Sequence, residues 1–158
     1  LFGLASAGDL VGALAAIGNT THQEGAQAHS DCCLLRIDSS EFQRLLERLP
    51  GLALRVLEFA GVRLEEAREA ISGLSSATAE QRIARTLLRL AERHGEESAE
   101  GLLLQLPLPQ QDLAALTGTT IETVSRSLSQ WRRQGVITSG RRWIAITDLA
   151  GLQAAAAT

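Results

Sequence analysis

The chain has no Lys, Tyr or Met among its 158 residues, and only 3% of them are aromatic. Without Met there is no initiating residue, so we expect a processed chain or a fragment of a longer protein. The two cysteines, Cys32 and Cys33, are adjacent, which excludes a disulfide framework. The longest near-apolar stretch, Leu10 to Ile17, is far shorter than the roughly 20 residues that span a bilayer. No basic, cleavable leader begins the sequence, so no secretory signal is predicted.

What remains is the composition of an ordinary globular protein. Hydrophobic residues make up 45% of the chain, which excludes a disordered or collagen-like protein. Acidic residues outnumber basic ones by 18 to 15, and every basic residue is Arg. The resulting net charge of −3 would by itself disfavour a nucleic-acid partner. The sequence has no paired-carboxylate site, Ser/His/Asp set, phosphate-binding loop or dinucleotide glycine pattern, so it predicts no enzyme activity.

The N-terminal residues indicate the end of a β domain. Leu10 to Gly12 and Ala26 to Ile37 are typical of short strands, with turn residues at Gly18 to Thr21 between them. Helical periodicity then begins at Ser39, and Pro50 punctuates it. This is too little chain for a complete β domain, so we expect only its C-terminal part.

An apolar seam with a seven-residue period follows Pro50. Three members are seven residues apart and the others each come three residues later, which are the a and d positions of a coiled coil. The seam consists of Leu57, Ala60, Leu64, Ala67, Ile71 and Leu74. Two interpretations fit: an amphipathic helix that packs on its own domain, or a helix that pairs in parallel with a second copy. Ala60 and Ala67 would let two backbones approach closely.

A further domain is predicted after a break at Gly73 to Ala77. Thr78 and Gln81 have the spacing of a capping box, which would begin a new helix. An acidic, exposed loop at residues 95–101 and a short apolar strand at Leu102 to Leu106 are expected to follow it.

The C-terminal part contains a helix-turn-helix pattern. A short helix, Gln110 to Leu116, is followed by Gly118, whose permissive backbone allows a tight turn. Thr119 or Thr120 then caps a second helix. Its predicted buried face consists of Val124, Leu128 and Trp131. After it, residues 136–146 are typical of a strand–turn–strand unit, a β wing.

Three polar residues share the exposed face of this second helix. Glu122, Ser125 and Arg126 occupy positions i, i+3 and i+4 in its first two turns, the part of a recognition helix that enters the major groove. Arg can bind guanine through two donors, a carboxylate can accept from cytosine, and Ser can donate or accept. Two structural alternatives are an ion pair between Glu122 and Arg126 and a capping box between Thr119 and Glu122.

The charge is unevenly distributed along the chain. Residues 105–147 hold five arginines and two carboxylates, a net charge of +3, so the rest of the chain carries −6. Contacts to DNA phosphates fix the register of a protein without reading the base sequence. We predict such contacts for Gln110, Thr119, Thr123, Arg133, Arg141 and Arg142. For the Arg pair at the wing tip, a solvated turn is the alternative.

The order of these elements and several short motifs resemble the Crp/Fnr family of bacterial transcription regulators. The motifs are G-D-L-V-G at Gly8–Gly12, A-I-G at Ala16–Gly18, A-Q-A at Ala26–Ala28, R-I-A-R-T-L-L-R-L-A at Arg82–Ala91, and D-L-A…T-G-T-T-I-E-T-V-S-R ending at Arg126. The resemblance implies an α+β chain that lacks the first part of its sensor domain. Its parts would be a jelly-roll remnant (1–49), a dimerisation helix with a hinge (50–77) and a winged helix-turn-helix DNA-binding domain (78–158).

The same resemblance implies a function. E-x-x-S-R at Glu122 to Arg126 is similar to the Fnr branch, which implies a homodimer on an inverted repeat of TTGAT-like half-sites. Arg126 would contact guanine, Glu122 the paired cytosine, and Ser125 a thymine. The implied partners are double-stranded DNA, a second copy of the chain and RNA polymerase, in the cytoplasm and without a membrane. The alternative is a redox- or ligand-sensing dimerisation module that acts mainly through a protein partner.

The resemblance leaves the cofactor unknown. Cyclic-nucleotide binders of the family carry an Arg in their phosphate cassette, and no Arg lies between Leu1 and Asp31, so a cyclic nucleotide is disfavoured. Iron–sulfur members use an N-terminal cysteine cluster, which would have to lie outside this chain. Adjacent strand residues face opposite ways, so Cys32 and Cys33 would not easily share one site. We therefore expect no metal site here, with a redox or metal role for these cysteines as the less favoured alternative.

Overall fold

A computed structural model describes residues 3–5, 7–12, 21–22, 25–28, 30–105 and 108–157, without the side chains of residues 69–70 and 74–75. The chain divides into two compact units, one of residues 5–71 and one formed mainly by residues 72–158. Helices and an antiparallel sheet are both present, which confirms the predicted α+β class. Among the described residues, no helix is both long and apolar enough to cross a membrane.

The first unit contains α1 (Ser39–Arg48) and most of α2 (Pro50–Ser76). Phe42 is the buried residue of α1. Pro50 begins α2, where its fixed φ suits the first helical turn and its missing N–H costs nothing. Both helices begin where predicted. The predicted break at Gly73 to Ala77 is shorter than expected, because α2 continues to Ser76.

The short strands predicted at Leu10 to Gly12 and Ala26 to Ile37 are wrong for the described residues of those segments, which contain no strand. A strand is stable only where a neighbouring strand completes its backbone hydrogen bonds. The described residues before α1 offer no such neighbour. Of the turn predicted at Gly18 to Thr21, all but Thr21 lies outside the described residues.

Arg63 of α2 makes polar contacts within the first unit. Its guanidinium lies 5.2 Å from the ring centroid of Phe59 and 3.1 Å from the carboxylate of Glu66. It also lies 3.8 Å from the carboxylate of Asp9. The Gly8-Asp9 motif is therefore joined to the long helix by a partly buried ion pair.

The second unit begins with α3 (Ala79–His94), and its predicted capping box is confirmed. The Thr78 hydroxyl accepts from the Gln81 N–H at 3.2 Å, and the Gln81 side chain accepts from the Thr78 N–H at 2.6 Å. The apolar face of α3 belongs to the main core. The largest fully buried side chains are Trp131, Ile83, Leu87, Leu113, Ile137, Ile146, Leu152 and Val124.

The strands of the described residues form one antiparallel sheet in the order β1-β2-β4-β3. They are β1 (Glu96–Ser98), β2 (Gly101–Leu104), β3 (Ile137–Gly140) and β4 (Trp143–Ile146). The predicted acidic loop at residues 95–101 is wrong in part, because residues 96–98 pair with residues 101–103 as a hairpin. Three exposed polar residues carry no strand pattern, and only pairing with the apolar β2 makes them a strand. Leu106, the predicted end of β2, lies outside the described residues.

The Ala-rich C-terminus forms a helix that the sequence analysis did not predict, α6 (Leu149–Ala157). It packs on α3 and buries Leu152 and Ala156. Arg85 of α3 donates from Nε to the carbonyl of Ala156 at 2.9 Å. The end of the chain is therefore part of the core that supports the helix-turn-helix.

Candidate nucleic-acid interface

The two helices of the predicted motif are α4 (Gln110–Thr117) and α5 (Ile121–Gln134), joined by residues 118–120. Gly118 has a left-handed φ of 58°, and its N–H donates to the carbonyl of Ala114. Thr120, rather than Thr119, caps α5, because its hydroxyl accepts from the Thr123 N–H at 3.3 Å. The turn is therefore the short, Gly-containing connection that the sequence predicted.

A residue outside the motif supports this turn. Arg82 of α3 donates to the carbonyls of Thr117 and Gly118 at 2.8 and 3.1 Å. The last carbonyls of a helix have no partner within it, so these bonds satisfy the end of α4. This contact was not predicted, since a separation of 35 residues leaves no local pattern in the sequence.

α5 has one buried and one solvent-facing side. Val124, Leu128 and Trp131 are buried, as predicted, and Ser127 is buried with them. On the other side, Glu122 and Arg126 are exposed and Ser125 is half-buried. These three residues, called the reading face below, lie together in the first two turns of α5. Arg133 is exposed and continues the same side of the helix further along.

The charged groups of Glu122 and Arg126 do not pair with each other. No ion pair within 4.0 Å joins them in the part of the chain that the structure describes. Instead, the Glu122 carboxylate accepts from its own backbone N–H and from the Thr120 hydroxyl, and these bonds lower the pKa of Glu122 below its usual value. The capping box with Thr119 is not formed, since Thr120 is the cap. The two charges of the reading face therefore do not neutralise each other, and both can interact with a ligand.

The predicted β wing is formed by β3 and β4, with Arg141 and Arg142 exposed in its turn. Arg142 has a φ of 74°, a left-handed conformation that costs a residue with a side chain about 1 kcal/mol or more. The ring of Trp143 packs directly against Gly140, where any larger residue would collide with it. The wing tip therefore presents two arginines on a fixed turn.

The remaining predicted phosphate contacts lie at helix starts. Gln110 is the exposed first residue of α4, and Thr119 and Thr123 are half-buried around the start of α5. The Thr123 and Thr120 hydroxyls are 3.2 Å apart. Helix N-termini offer unpaired N–H groups and a positive dipole, which suit a phosphate. The placement agrees with the predicted role of these residues, which stays a prediction.

The larger members of the seam on α2 are exposed. Leu57, Leu64 and Ile71 are 68%, 53% and 69% exposed. Ala60 is half-buried, Ala67 is exposed, and the side chain of Leu74 lies outside the described residues. A row of large apolar side chains in water favours pairing with another molecule over packing on its own domain.

Cys32 and Cys33 are both exposed free thiols. They lie in a segment without helix or strand, so the strand argument against a shared site does not apply. Among the described residues, no group of three or more His, Cys, Asp or Glu could hold a metal ion. A redox or metal role for the two cysteines therefore stays an untested alternative.

Comparisons with known proteins agree with this geometry. A family model of the Crp-like helix-turn-helix domain matches residues 81–155, which include the helix-turn-helix and the wing. The chain is 35% identical over 126 residues to the transcriptional activator protein FnrL of Cereibacter sphaeroides, a match that covers 77% of this chain and 50% of FnrL.

Two solved structures are similar in fold. FixK2 from Bradyrhizobium japonicum aligns with a TM-score of 0.68 and 28% identity, over 77% of this chain and 60% of FixK2. A transcriptional regulator of the CRP/FNR family from Thermus thermophilus aligns with a TM-score of 0.60 and 30% identity, over 69% of this chain and 56% of that protein. The chain thus spans 50–60% of the length of these three proteins.

Proposed function

Because the chain belongs to the Crp/Fnr family of transcription regulators, we propose that it binds double-stranded DNA sequence-specifically as a homodimer and so regulates transcription. The observation that carries this proposal is the reading face of α5. Its carboxylate, hydroxyl and guanidinium lie in the first two turns of the second helix of the motif. In a helix-turn-helix protein, these turns enter the major groove.

Each member of the reading face has a proposed base contact in a TTGAT-like half-site. Arg126 donates to O6 and N7 of guanine, and the ionised carboxylate of Glu122 accepts from N4 of the paired cytosine. Ser125 lies near a thymine. The pKa of Glu122 is lowered by the bonds from its own N–H and from Thr120, so its carboxylate stays ionised at mildly acidic pH as well as at neutral pH. Ile121, which is 44% exposed beside Glu122, offers an apolar surface for a thymine methyl group.

The residues proposed to contact phosphates lie before, within and after the reading face along the chain. Gln110, Thr119 and Thr123 lie at the starts of α4 and α5, and Arg133 lies toward the end of α5. The wing contributes Arg141 and Arg142. With a net charge of only +3 over residues 105–147, we expect weak non-specific binding that falls steeply as salt increases.

The proposed partner of α2 is the same helix of a second copy. The seam supports this, since its large members are exposed and its period is that of a parallel coiled coil. A two-fold dimer presents two α5 helices to half-sites about 34 Å apart, one turn of DNA, so the target is an inverted repeat. A contact with RNA polymerase and a cytoplasmic location follow from the family. No observation on the described residues favours the alternative, a redox- or ligand-sensing dimerisation module that acts mainly through a protein partner and binds DNA weakly.

The test is a mobility shift at several salt concentrations on a TTGAT palindrome, a TGTGA palindrome and random DNA. We expect the TTGAT palindrome to bind most tightly at every salt concentration. Affinity for random DNA should be lower and should decrease linearly in a log–log plot against salt. Equal binding to both palindromes and to random DNA would contradict the proposal.

A further inference from the structure

The guanidinium of Arg82 joins three carbonyl groups from two different places in the fold. Nε donates to the Thr117 carbonyl at 2.8 Å, and one terminal nitrogen donates to the Gly118 carbonyl at 3.1 Å. The other terminal nitrogen donates to the Ala77 carbonyl at 2.8 Å. Thr117 and Gly118 form the end of α4 and the start of the turn. Ala77 follows the last residue of α2.

The carbonyl groups at this position attract a cation, against the positive N-terminal end of α3, in whose first turn Arg82 lies. The N–H of Ala77 donates to the Gly73 carbonyl at 2.9 Å, so Ala77 closes the last turn of α2 and its carbonyl lies at the end of that helix. The Thr117 carbonyl belongs to the C-terminal turn of α4. Both helix ends carry unpaired carbonyls and the negative end of a helix dipole. A single positive charge between them stabilises both ends at once.

The geometry is specific to Arg. Its planar guanidinium offers donors in fixed directions, whereas the Lys ammonium is a point charge with no such fork. Because one planar group makes all three bonds, it also fixes how the three accepting carbonyls are oriented relative to one another. The turn of the motif is thereby held relative to the end of α2, within the second unit of the chain.

We propose that Arg82 is a positioning residue that couples the end of α2 to the turn before α5, so that palindromic DNA meets the reading face in its binding orientation. The inference rests on the proposed function, since it assigns Arg82 to sequence-specific binding. Arg82 itself touches no base in this proposal. A conformational change at the end of α2 would reach the turn through these three bonds.

The chain provides a matched control on the same helix. Arg85 lies one turn after Arg82 and donates from Nε to the carbonyl of Ala156, at the C-terminal end of α6. Arg85 therefore also binds a helix end, but it contacts neither α2 nor the turn among the described residues. Arg82→Lys and Arg85→Lys both keep the charge, so any difference between them reports the three-way contact.

The experiment measures the affinity of the intact chain and both variants for the TTGAT palindrome and for random DNA at one salt concentration. We expect Arg82→Lys to lose about tenfold or more on the palindrome and little on random DNA, since the charge is kept. Arg85→Lys should keep both affinities. Thermal unfolding shows whether each variant is folded, and Arg82→Gln serves as a second variant with the same expected loss.

A second measurement separates this inference from the proposed function. The Thr119 N–H donates to the Ala114 carbonyl at 3.0 Å across the turn. Its hydrogen exchange should be faster in Arg82→Lys than in Arg85→Lys, whatever DNA the chain prefers. If the unmodified chain prefers neither palindrome, the proposed function fails, and the exchange rates still test the bracing of the turn. Unchanged palindrome preference and Thr119 exchange in Arg82→Lys would overturn the inference, as would unfolding of both Arg82 variants.

Discussion

The hydroxyl of Thr120 donates a hydrogen bond to the carboxylate of Glu122 at the start of α5. The same hydroxyl accepts from the Thr123 N–H at 3.3 Å, so Thr120 both caps the helix and bonds to its first acidic side chain. The pKa of Glu122 is lowered, first by the bond from its own backbone N–H and then by the bond from Thr120. A carboxyl group whose pKa is lowered by folding stabilises the folded state at pH values above its unfolded pKa. This stabilisation is lost as the pH falls through the lowered pKa of the folded state.

We predict that the preference for the TTGAT palindrome is constant from about pH 8 down to about pH 5.5. This range lies above the ordinary Glu pKa of about 4.3, and the lowered pKa of Glu122 keeps its carboxylate ionised throughout it. Glu122→Gln should lose discrimination at the G·C pair at neutral pH, because an amide NH₂ replaces one acceptor oxygen. Fluorescence anisotropy against pH measures both. A preference that fades between pH 7 and pH 6 in the folded chain would contradict the role of Glu122.

Arg126→Ala should cost roughly 1–3 kcal/mol on the palindrome and relax discrimination at the contacted guanine. The loss reflects the missing contact to guanine and not a damaged fold. Among the described residues, the Arg126 side chain makes no hydrogen bond or ion pair, so its removal leaves the fold intact. Arg132→Ala is the control, because Arg132 donates to Ser129 at 2.9 Å and lies beyond the first two turns of α5. Titration of palindromes with single base changes measures the effect. Equal losses on palindrome and random DNA would rule out base reading by Arg126.

Arg142→Gly should stabilise the fold by up to about 1 kcal/mol and still weaken DNA binding. The substitution removes the strain of a φ of 74° together with one positive charge. Arg141→Ala is the matched control, since it removes a charge from the same turn without changing a left-handed residue. Both variants should lose affinity for all sequences alike and flatten the salt slope by about one. If neither variant changes the salt slope, the wing does not contact phosphates.

Leu64→Glu should dissociate the proposed dimer, because it puts a charge into the middle of the apolar seam of α2. Val62→Glu is the control, since Val62 is 54% exposed on the same helix but lies off the seam. Sedimentation velocity measures the oligomeric state of each variant. Dimers that persist in Leu64→Glu, or that dissociate equally in Val62→Glu, would exclude the seam as the interface.

Local patterns in the sequence predicted the helices α1 to α5 and the motif because their determinants are local. The capping box of Thr78 and Gln81 and the buried residues Val124 and Leu128 depend on spacings of three or four residues. The bonds of Arg82 were missed because they cross 35 and 36 residues. The hairpin of β1 and β2 is local, but the three exposed polar residues of β1 carry no strand pattern of their own.

The N-terminal strands show the opposite error. Alternation of apolar residues predicted strands before residue 38, but alternation gives no hydrogen bonds unless a neighbouring strand is present. Which of Thr119 and Thr120 caps α5 was equally undecidable from the sequence, since both have the right chemistry. The structure identifies Thr120, whose hydroxyl accepts from the Thr123 N–H.

A single base change in the target shows whether α5 reads the sequence of DNA. The affinity of the intact chain is measured for the TTGAT palindrome and for the same duplex with the G·C pair of both half-sites replaced by A·T. We expect the replacement to cost the intact chain roughly 1–3 kcal/mol per half-site and to cost Arg126→Ala much less. Equal affinity of the intact chain for the two duplexes would contradict the account.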